Sequence, residues 1–421
     1  MVTFHSGRLR GSVGVPGDKS ISHRALIAGA RCDAPLVVSN LNLGRDVEAT
    51  RDALVALGVR IESAGNEHVV HPASLTDPLR TLDCMNSGST VRMLLGACAG
   101  AGIAARFDGD ESLRRRPMEP VAAQLRAFGA KIETSAGCLP AQLAGTPQIE
   151  TRHFILLSPS AQIKSALLFA GLFAGVPVMV DGDRGSRDHT ERLLAFLGST
   201  IEWDRRSVNL GAEPLKANAV EVAGDFSSAA FFVTAAAITP GSSIIIRDAG
   251  VNPTRTGLLD ALAQMGGAIE LRNPRSSGGE PIADIAVEYR PLRATAIDSD
   301  LALRAIDELP LLAIAAAFAT GTTTIAGIEP LRSKESDRVA AIERLLGTVG
   351  IEIKAGPKSL AIAGGAPVPG GEVLQTHDDH RIVMAAAVLA CAAGPLAVDS
   401  DTSLDVSFPG FARALERLRV A

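Results

Sequence analysis

Six times along the 421 residues a small polar cluster opens directly into an alanine-rich apolar run. The clusters read SISHRALIAGA from Ser20, NSGSTVRMLLGACAG from Asn86, SAQIKSALLFAGLFAG from Ser160, GDFSSAAFFVTAAAI from Gly224, IDELPLLAIAAAFATG from Ile306 and DDHRIVMAAAVLACAAG from Asp378. Successive clusters stand roughly 65 to 80 residues apart, and a period that long means a repeated supersecondary unit. Most are followed by a second helical phrase, as in TRDALVALGVRIE, VAAQLRAFGAKIE and LLDALAQMGGAIE. In the first of these Ala53, Leu54 and Leu57 keep helical spacing, Gly58 sits where a helix stops, and Val59 and Ile61 alternate as in a strand. The polar clusters place Ser, Asp or Asn ahead of small-residue helices, a capping signal. One repeat therefore predicts two helices and three or four strands. Its first helix is apolar nearly all round and belongs inside; its second carries a charged face.

A chain of this length exceeds one ordinary core, so two domains of about 200 residues, three repeats each, are expected. Ala, Val, Leu and Ile supply most of the 47% hydrophobic content, with only 4% aromatic residues. The longest uncharged stretch, Ile382 to Val398, is broken by Gly394-Pro395 and falls short of a membrane span. MVTFHSGRLRG at the N-terminus lacks the apolar segment of a signal peptide, which makes the cytoplasm the expected compartment. Cys32, Cys84, Cys98, Cys138 and Cys391 form no C-x-x-C pair and read as reduced, mostly buried thiols. A net charge of −5 argues against a nucleic-acid partner.

The cations are concentrated at the clusters. Lys19, Ser20 and Arg24 mark the first, Asn86, Ser87, Ser89 and Arg92 the second, Ser160, Gln162 and Lys164 the third, and Asp378, Asp379, His380 and Arg381 the sixth. Helix N-termini carry unpaired N–H groups and a positive dipole end, so such starts, joined by Lys and Arg, make a site for an acidic small molecule. Single motifs say less. PGDKS lacks the G-x-x-x-x-G-K-[ST] spacing of a phosphate loop. HDDH from His377 has no second His/Cys cluster to complete a metal shell, and reads better as a capped helix start. LRSKESDR alone reads as a solvated helical face with Glu335 and Arg338 in pairing distance.

Together, PGDKSISHRAL, NSGSTVRMLLG, SLRRRPM, SAQIKSALLFAG, GDFSSAAFF, NPTRTG, IDELP, LRSKESDR and DDHRIVM resemble, in order and over essentially the whole chain, the 5-enolpyruvylshikimate-3-phosphate synthase family. SAQIKS, SRDHTE, NPTRTG and LRSKESDR look more like its class II branch. The resemblance implies an α/β fold of two similar domains, each of three βαβαββ units with buried helices, an inside-out α/β barrel with a cleft active site. It places residues 1–17 plus 225–421 in a discontinuous domain and 18–224 in an inserted one. It also implies that shikimate 3-phosphate closes the domains and completes the phosphoenolpyruvate site. The implied reaction transfers the enolpyruvyl group of phosphoenolpyruvate to the 5-hydroxyl of shikimate 3-phosphate by addition and elimination, in aromatic amino-acid biosynthesis. It requires no metal and no organic cofactor; its partners are the two substrates, not nucleic acid or membrane. The family is the target of glyphosate and the expected state is a monomer.

Residue by residue, Lys19, Ser20 and Arg24 match shikimate-phosphate positions, Lys19 also standing near phosphoenolpyruvate. Ser160, Ala161 (through its backbone) and Gln162 match further shikimate 3-phosphate positions, with Gln162 reaching both substrates. Arg116, Arg338 and Arg381 match the phosphoenolpyruvate arginines, whose forks suit carboxylate and phosphate oxygens. Gly88 matches a glycine lying close against that substrate. Asp307 matches the acceptor of the 5-hydroxyl proton and a shikimate contact; Glu335 matches the donor to the methylene carbon. Lys19 and Lys334 match positions that stabilise developing charge, Lys334 touching both substrates. A structural alternative for Asp307 is capping of the helix that follows.

The chain departs from the class I pattern in four places. Val406 replaces the C-terminal lysine, Pro330 an asparagine contact, and Met93 the proline after Arg92. At the class I phosphate serine stands SRDHT, where Ser186 or Arg187 serves, Arg187 being favoured by charge. Three other functions fit the residues less well. A UDP-N-acetylglucosamine enolpyruvyl transferase shares fold and chemistry but typically uses a loop cysteine, absent from DESLRRRPM. A nucleotide-dependent relative lacks its phosphate loop, and a non-enzymatic scaffold has no use for cations beside acids at helix starts.

Overall fold

The computed structural model describes residues 1–420 except 146–148, 150, 335 and the side chains of 405 and 406. Each polar cluster starts a helix: α1 (Lys19–Gly29), α2 (Gly88–Ala101), α3 (Ala161–Ala174), α4 (Phe226–Ile238), α5 (Leu309–Ala317) and α6 (His380–Ala393). Asp18, Ser87, Ser160, Asp225 and Asp379 cap five of them, each side chain accepting a backbone N–H from the first turn. The fifth helix is different. Its N-cap, Glu308, makes no side-chain cap bond, and Pro310 in the first turn has no N–H to satisfy.

Apolar all-round sequences sit inside as expected: every residue of α4 and of α5 is buried. The second helical phrases are amphipathic. Glu119–Phe128 buries Val121, Ala122, Leu125 and Phe128, and stops at Gly129 with φ +111°, a conformation glycine tolerates. Within α2, Gly96 and Gly100 let the backbone of α3 come into contact. A Cβ at either would lie 2.0 Å from the Ala166 carbonyl oxygen or 2.1 Å from that of Ala170, so no larger residue fits without parting the helices.

The chain divides into two compact units, one of residues 1–16, 224–275 and 281–421, the other of 17–223 and 276–280. The latter unit contains three four-stranded sheets of one design. In each, a first strand lies parallel to a second, and the second pairs antiparallel with the later strand of a hairpin: Leu82–Asp83, Ala105–Asp108, Cys138–Ala144 and Lys131–Ser135 are one example. That order is βαβαββ. The unit's first sheet takes its first strand, Val220–Glu221, from the far end of the unit. In the other unit Arg8–Gly14 lies parallel to Ser243–Gly250. Both chain transitions thus fall between the first strand and the buried helix of a repeat.

The repeats are not all equal. In the sixth, Val373–Leu374 pairs with Leu396–Val398, but the place of the hairpin is taken by the N-terminal strand Val2–Phe4. The chain instead continues through a short 3-10 helix, Thr402–Val406, and the helix Phe411–Leu418, then pairs Arg419–Val420 with Arg8 and Leu9. Phe408 and Phe411 pack on Phe231 and Phe232 of α4 with ring centroids 5.6 to 6.0 Å apart. The terminal segment fills the core, which explains why the sixth repeat departs from the expected pattern. No sheet among the described residues closes on itself, so the helices-inside arrangement is built from six open sheets. Among the described residues no helix is long and apolar enough to cross a membrane.

Candidate active site

In the unit of residues 17–223, polar groups gather at the starts of α1, α2 and α3. Lys19 donates to Asp46 at 2.7 Å. Arg24, 3% exposed, is held by neutral oxygens: Nε donates to Thr190 Oγ1 (2.7 Å), Nη1 to the Ser20 carbonyl (2.7 Å) and Nη2 to Ser165 Oγ (2.9 Å). Burial lowers its pKa to about 10, opposed by the fields of Glu191, Asp18 and Glu280, so it remains charged at neutral pH. Beside it His23 is fully buried, with Nδ1 on Thr50 Oγ1 at 2.7 Å, and burial pushes its pKa down to about 3. It is a neutral core group.

Ser160 spends its hydroxyl on capping α3, where it accepts from the Ile163 amide at 3.4 Å, and Ala161 is the first helical residue. The Gln162 amide is locked: its oxygen accepts from Arg92 Nη1 (2.8 Å) and its nitrogen donates to Ser89 Oγ (3.0 Å). Arg92 also donates to the Pro117 carbonyl, and Arg116 to Asn86 Oδ1. A Cβ on Gly88 would lie 2.6 Å from Arg92 Nη1 and 3.3 Å from Arg116 Nη1. Gly88 therefore leaves room for two guanidinium groups.

Ser186 and Arg187 are distinguished by geometry. Ser186 is buried with its hydroxyl donated to Asp183, whereas Arg187 is half-buried and its charge depresses the pKa of Arg24. Lys164, read from sequence as one of the helix-start cations, points inward instead. Its ammonium contacts Asp183 (2.8 Å) and Glu191 (2.5 Å), all three buried. Burial opposes its charge, but the two carboxylates outweigh it and its pKa rises. Burial likewise raises that of Glu191.

The other unit has a second cluster around the starts of α4, α5 and α6. Asp307 does not cap α5. Its carboxylate faces Lys334 Nζ at 3.1 Å, Arg338 Nη1 at 3.6 Å and Arg381 Nη2 at 3.9 Å. Arg338 is almost completely buried, with Nε on Asp379 Oδ2 at 3.0 Å, and Ser336 donates to the same oxygen at 2.8 Å. Arg381 donates through Nη1 to the Asp307 carbonyl at 3.1 Å. Arg255 and Glu308, both buried, join this cluster through Ser227. Glu335 lies outside the described residues.

A family model for EPSP synthase (3-phosphoshikimate 1-carboxyvinyltransferase) matches residues 4–415. The chain belongs to that family. It is 45% identical to the 3-phosphoshikimate 1-carboxyvinyltransferase of Desulforudis audaxviator, covering 98% of this chain and 97% of the relative. It is 42% identical to that of Methylococcus capsulatus, covering 96% and 94%. Among solved structures, EPSP synthase from Acinetobacter baumannii superposes with a TM-score of 0.87 at 35% identity, covering 100% of this chain and 98% of that one. The enolpyruvyl transferase NikO from Streptomyces tendae, 17% identical with a TM-score of 0.76 over 99% and 96%, shares the fold.

Some polar groups of the chain escape the sequence reading. Ser227, Arg255 and Glu308 each contact a cation or carboxylate of the second cluster. GDFSSAAFF, NPTRTG and IDELP contain them, but motif order alone assigns them no contacts. Thr190 and Ser165, which hold Arg24, were likewise indistinguishable from ordinary helix residues.

Proposed function

We propose that the two clusters divide the work of one reaction. An EPSP synthase transfers the enolpyruvyl group of phosphoenolpyruvate to the 5-hydroxyl of shikimate 3-phosphate and releases phosphate, and this chain does so. The cluster of Lys19, Ser20, Arg24, Ser160, Ala161, Gln162 and Arg187 binds shikimate 3-phosphate. Gly88, Arg116, Gln162, Lys19, Lys334, Arg338 and Arg381 bind phosphoenolpyruvate, and Asp307 and Lys334 also meet the shikimate ring.

In the addition step Asp307 takes the proton of the 5-hydroxyl as its oxygen bonds to C2 of phosphoenolpyruvate, and Glu335 delivers a proton to the methylene carbon. This gives a tetrahedral ketal. In the elimination Glu335 takes a proton back from the new methyl group, the C–O bond to phosphate breaks as Asp307 returns its proton to the leaving phosphate, and the double bond returns. Lys19 and Lys334 stabilise charge on the transferring group. The negative charge of phosphoenolpyruvate competes for the cations that hold Asp307, which frees its carboxylate to accept the proton.

The observation that carries this reading is Asp307 itself: a carboxylate that leaves its helix uncapped and faces Lys334, Arg338 and Arg381. The test is phosphate release from phosphoenolpyruvate with and without shikimate 3-phosphate. Release dependent on shikimate 3-phosphate is expected; release requiring UDP-N-acetylglucosamine would assign the other enolpyruvyl transfer. A cytoplasmic monomer, sensitive to glyphosate, completes the proposal.

A further inference from the structure

Ser227 is the second residue of α4, in a cluster to which the sequence reading assigned no ligand. A serine hydroxyl has one donor and two acceptor positions. Here all three are used: Ser227 Oγ donates to Glu308 Oε1, accepts from Arg255 Nη2, and accepts from Arg381 Nη2 at 3.3 Å. Glu308 is wholly buried, and its Oε2 has no hydrogen-bond partner among the described residues. Its Oε1 lies 3.7 Å from Arg255 Nη2 and 3.8 Å from Arg381 Nη1, beyond direct hydrogen-bond distance in both cases. The hydroxyl is thus interposed between one buried carboxylate and two guanidinium groups.

A buried carboxylate beside an arginine ordinarily closes into a direct, often bidentate pair. Such a pair at Arg381 would consume the fork that a ligand's carboxylate or phosphate has to meet. Ser227 prevents this by bonding Oε1, the Glu308 oxygen that faces Arg381, while Arg255 shares the carboxylate's charge. Arg381 is left oriented by its bonds to Ser227 and the Asp307 carbonyl.

We propose that Ser227 is a positioning residue for Arg381, its hydroxyl acting as the spacer that keeps the Glu308 carboxylate from capturing Arg381 and leaves Arg381 available to phosphoenolpyruvate. The inference rests on the assignment of Arg381 to that substrate. Steady-state kinetics of Ser227→Ala, Glu308→Gln and the double variant test it, with KM measured for each substrate. Ser227→Ala lets Glu308 pair directly with Arg381 and raises the KM for phosphoenolpyruvate about tenfold or more, with that for shikimate 3-phosphate within about twofold. Glu308→Gln alone leaves the phosphoenolpyruvate KM level or lower, and added to Ser227→Ala it recovers part of the loss, because the capturing charge is gone. An unmoved KM in Ser227→Ala, equal rises for both substrates, a tenfold rise in Glu308→Gln alone, or a double variant worse than either single one overturns the inference. If the wild-type chain releases no phosphate, the reaction and the inference fall together; a normal wild-type rate with any of those outcomes overturns the inference alone.

Discussion

Arg24 and Arg381 both stand near the start of a buried helix and both hydrogen-bond neutral oxygens, but Arg381 also has the carboxylates of Glu308 and Asp307 at 3.8 and 3.9 Å. Two hydroxyls and a carbonyl fix Arg24, and they orient its guanidinium without offsetting its charge. In the other unit Arg255, Lys334, Arg338 and Arg381 face Asp225, Asp307, Glu308 and Asp379. The first arrangement presents a cation to an anionic ligand. The second balances charge for charge, so that an arriving anion rearranges existing pairs and can release a carboxylate for proton transfer. On the proposed reading, one repeated helix start serves binding in one unit and acid–base chemistry in the other.

The largest effect that separates the two arrangements is on stability. Arg338→Met strands the buried Asp379 carboxylate and should cost about 3–5 kcal/mol in urea unfolding, whereas Arg24→Met leaves hydroxyls that tolerate the loss for about 1 kcal/mol. Equal costs would break the comparison. Next comes a pH effect specific to the first arrangement. His23 has a folded pKa of about 3 against an ordinary 6.5, so between these values the unfolded chain binds the extra proton. Its contribution is intact above pH 6.5 and falls with pH, reaching a loss of about 2 kcal/mol at pH 5. His23→Asn should flatten that slope in unfolding measurements; an unchanged slope contradicts a buried neutral imidazole.

Arg24→Met should also raise the KM for shikimate 3-phosphate about tenfold, with that for phosphoenolpyruvate within about threefold. Similar rises for both would erase the division of labour. The smallest effect belongs to Gly88→Ala. Its Cβ displaces the ends of two flexible arginines, Arg92 first, and should raise the phosphoenolpyruvate KM by about threefold.

The helix starts were legible because capping is local: Asp18, Ser87, Ser160, Asp225 and Asp379 lie within one turn of the amides they satisfy. The buried helices were legible from composition, since no polar residue in the body of α5 offers an outward face. The truncated sixth repeat was not, because its place is filled by Val2–Phe4 from the opposite end of the chain. Lys164 misled for a related reason. Sequence shows a lysine near a helix start, but not that Asp183 and Glu191 turn it inward. The Ser227 junction joins four segments distant in sequence, and no local pattern encodes that meeting.

The central claim is that Asp307, besides meeting the shikimate ring, serves proton transfer. Turnover and both KM values of Asp307→Ala test it most directly. The account predicts a kcat about a thousandfold lower with the KM for phosphoenolpyruvate not raised, because the neighbouring cations remain and lose only a competing carboxylate. A near-normal kcat, or raised KM values with kcat intact, would contradict it.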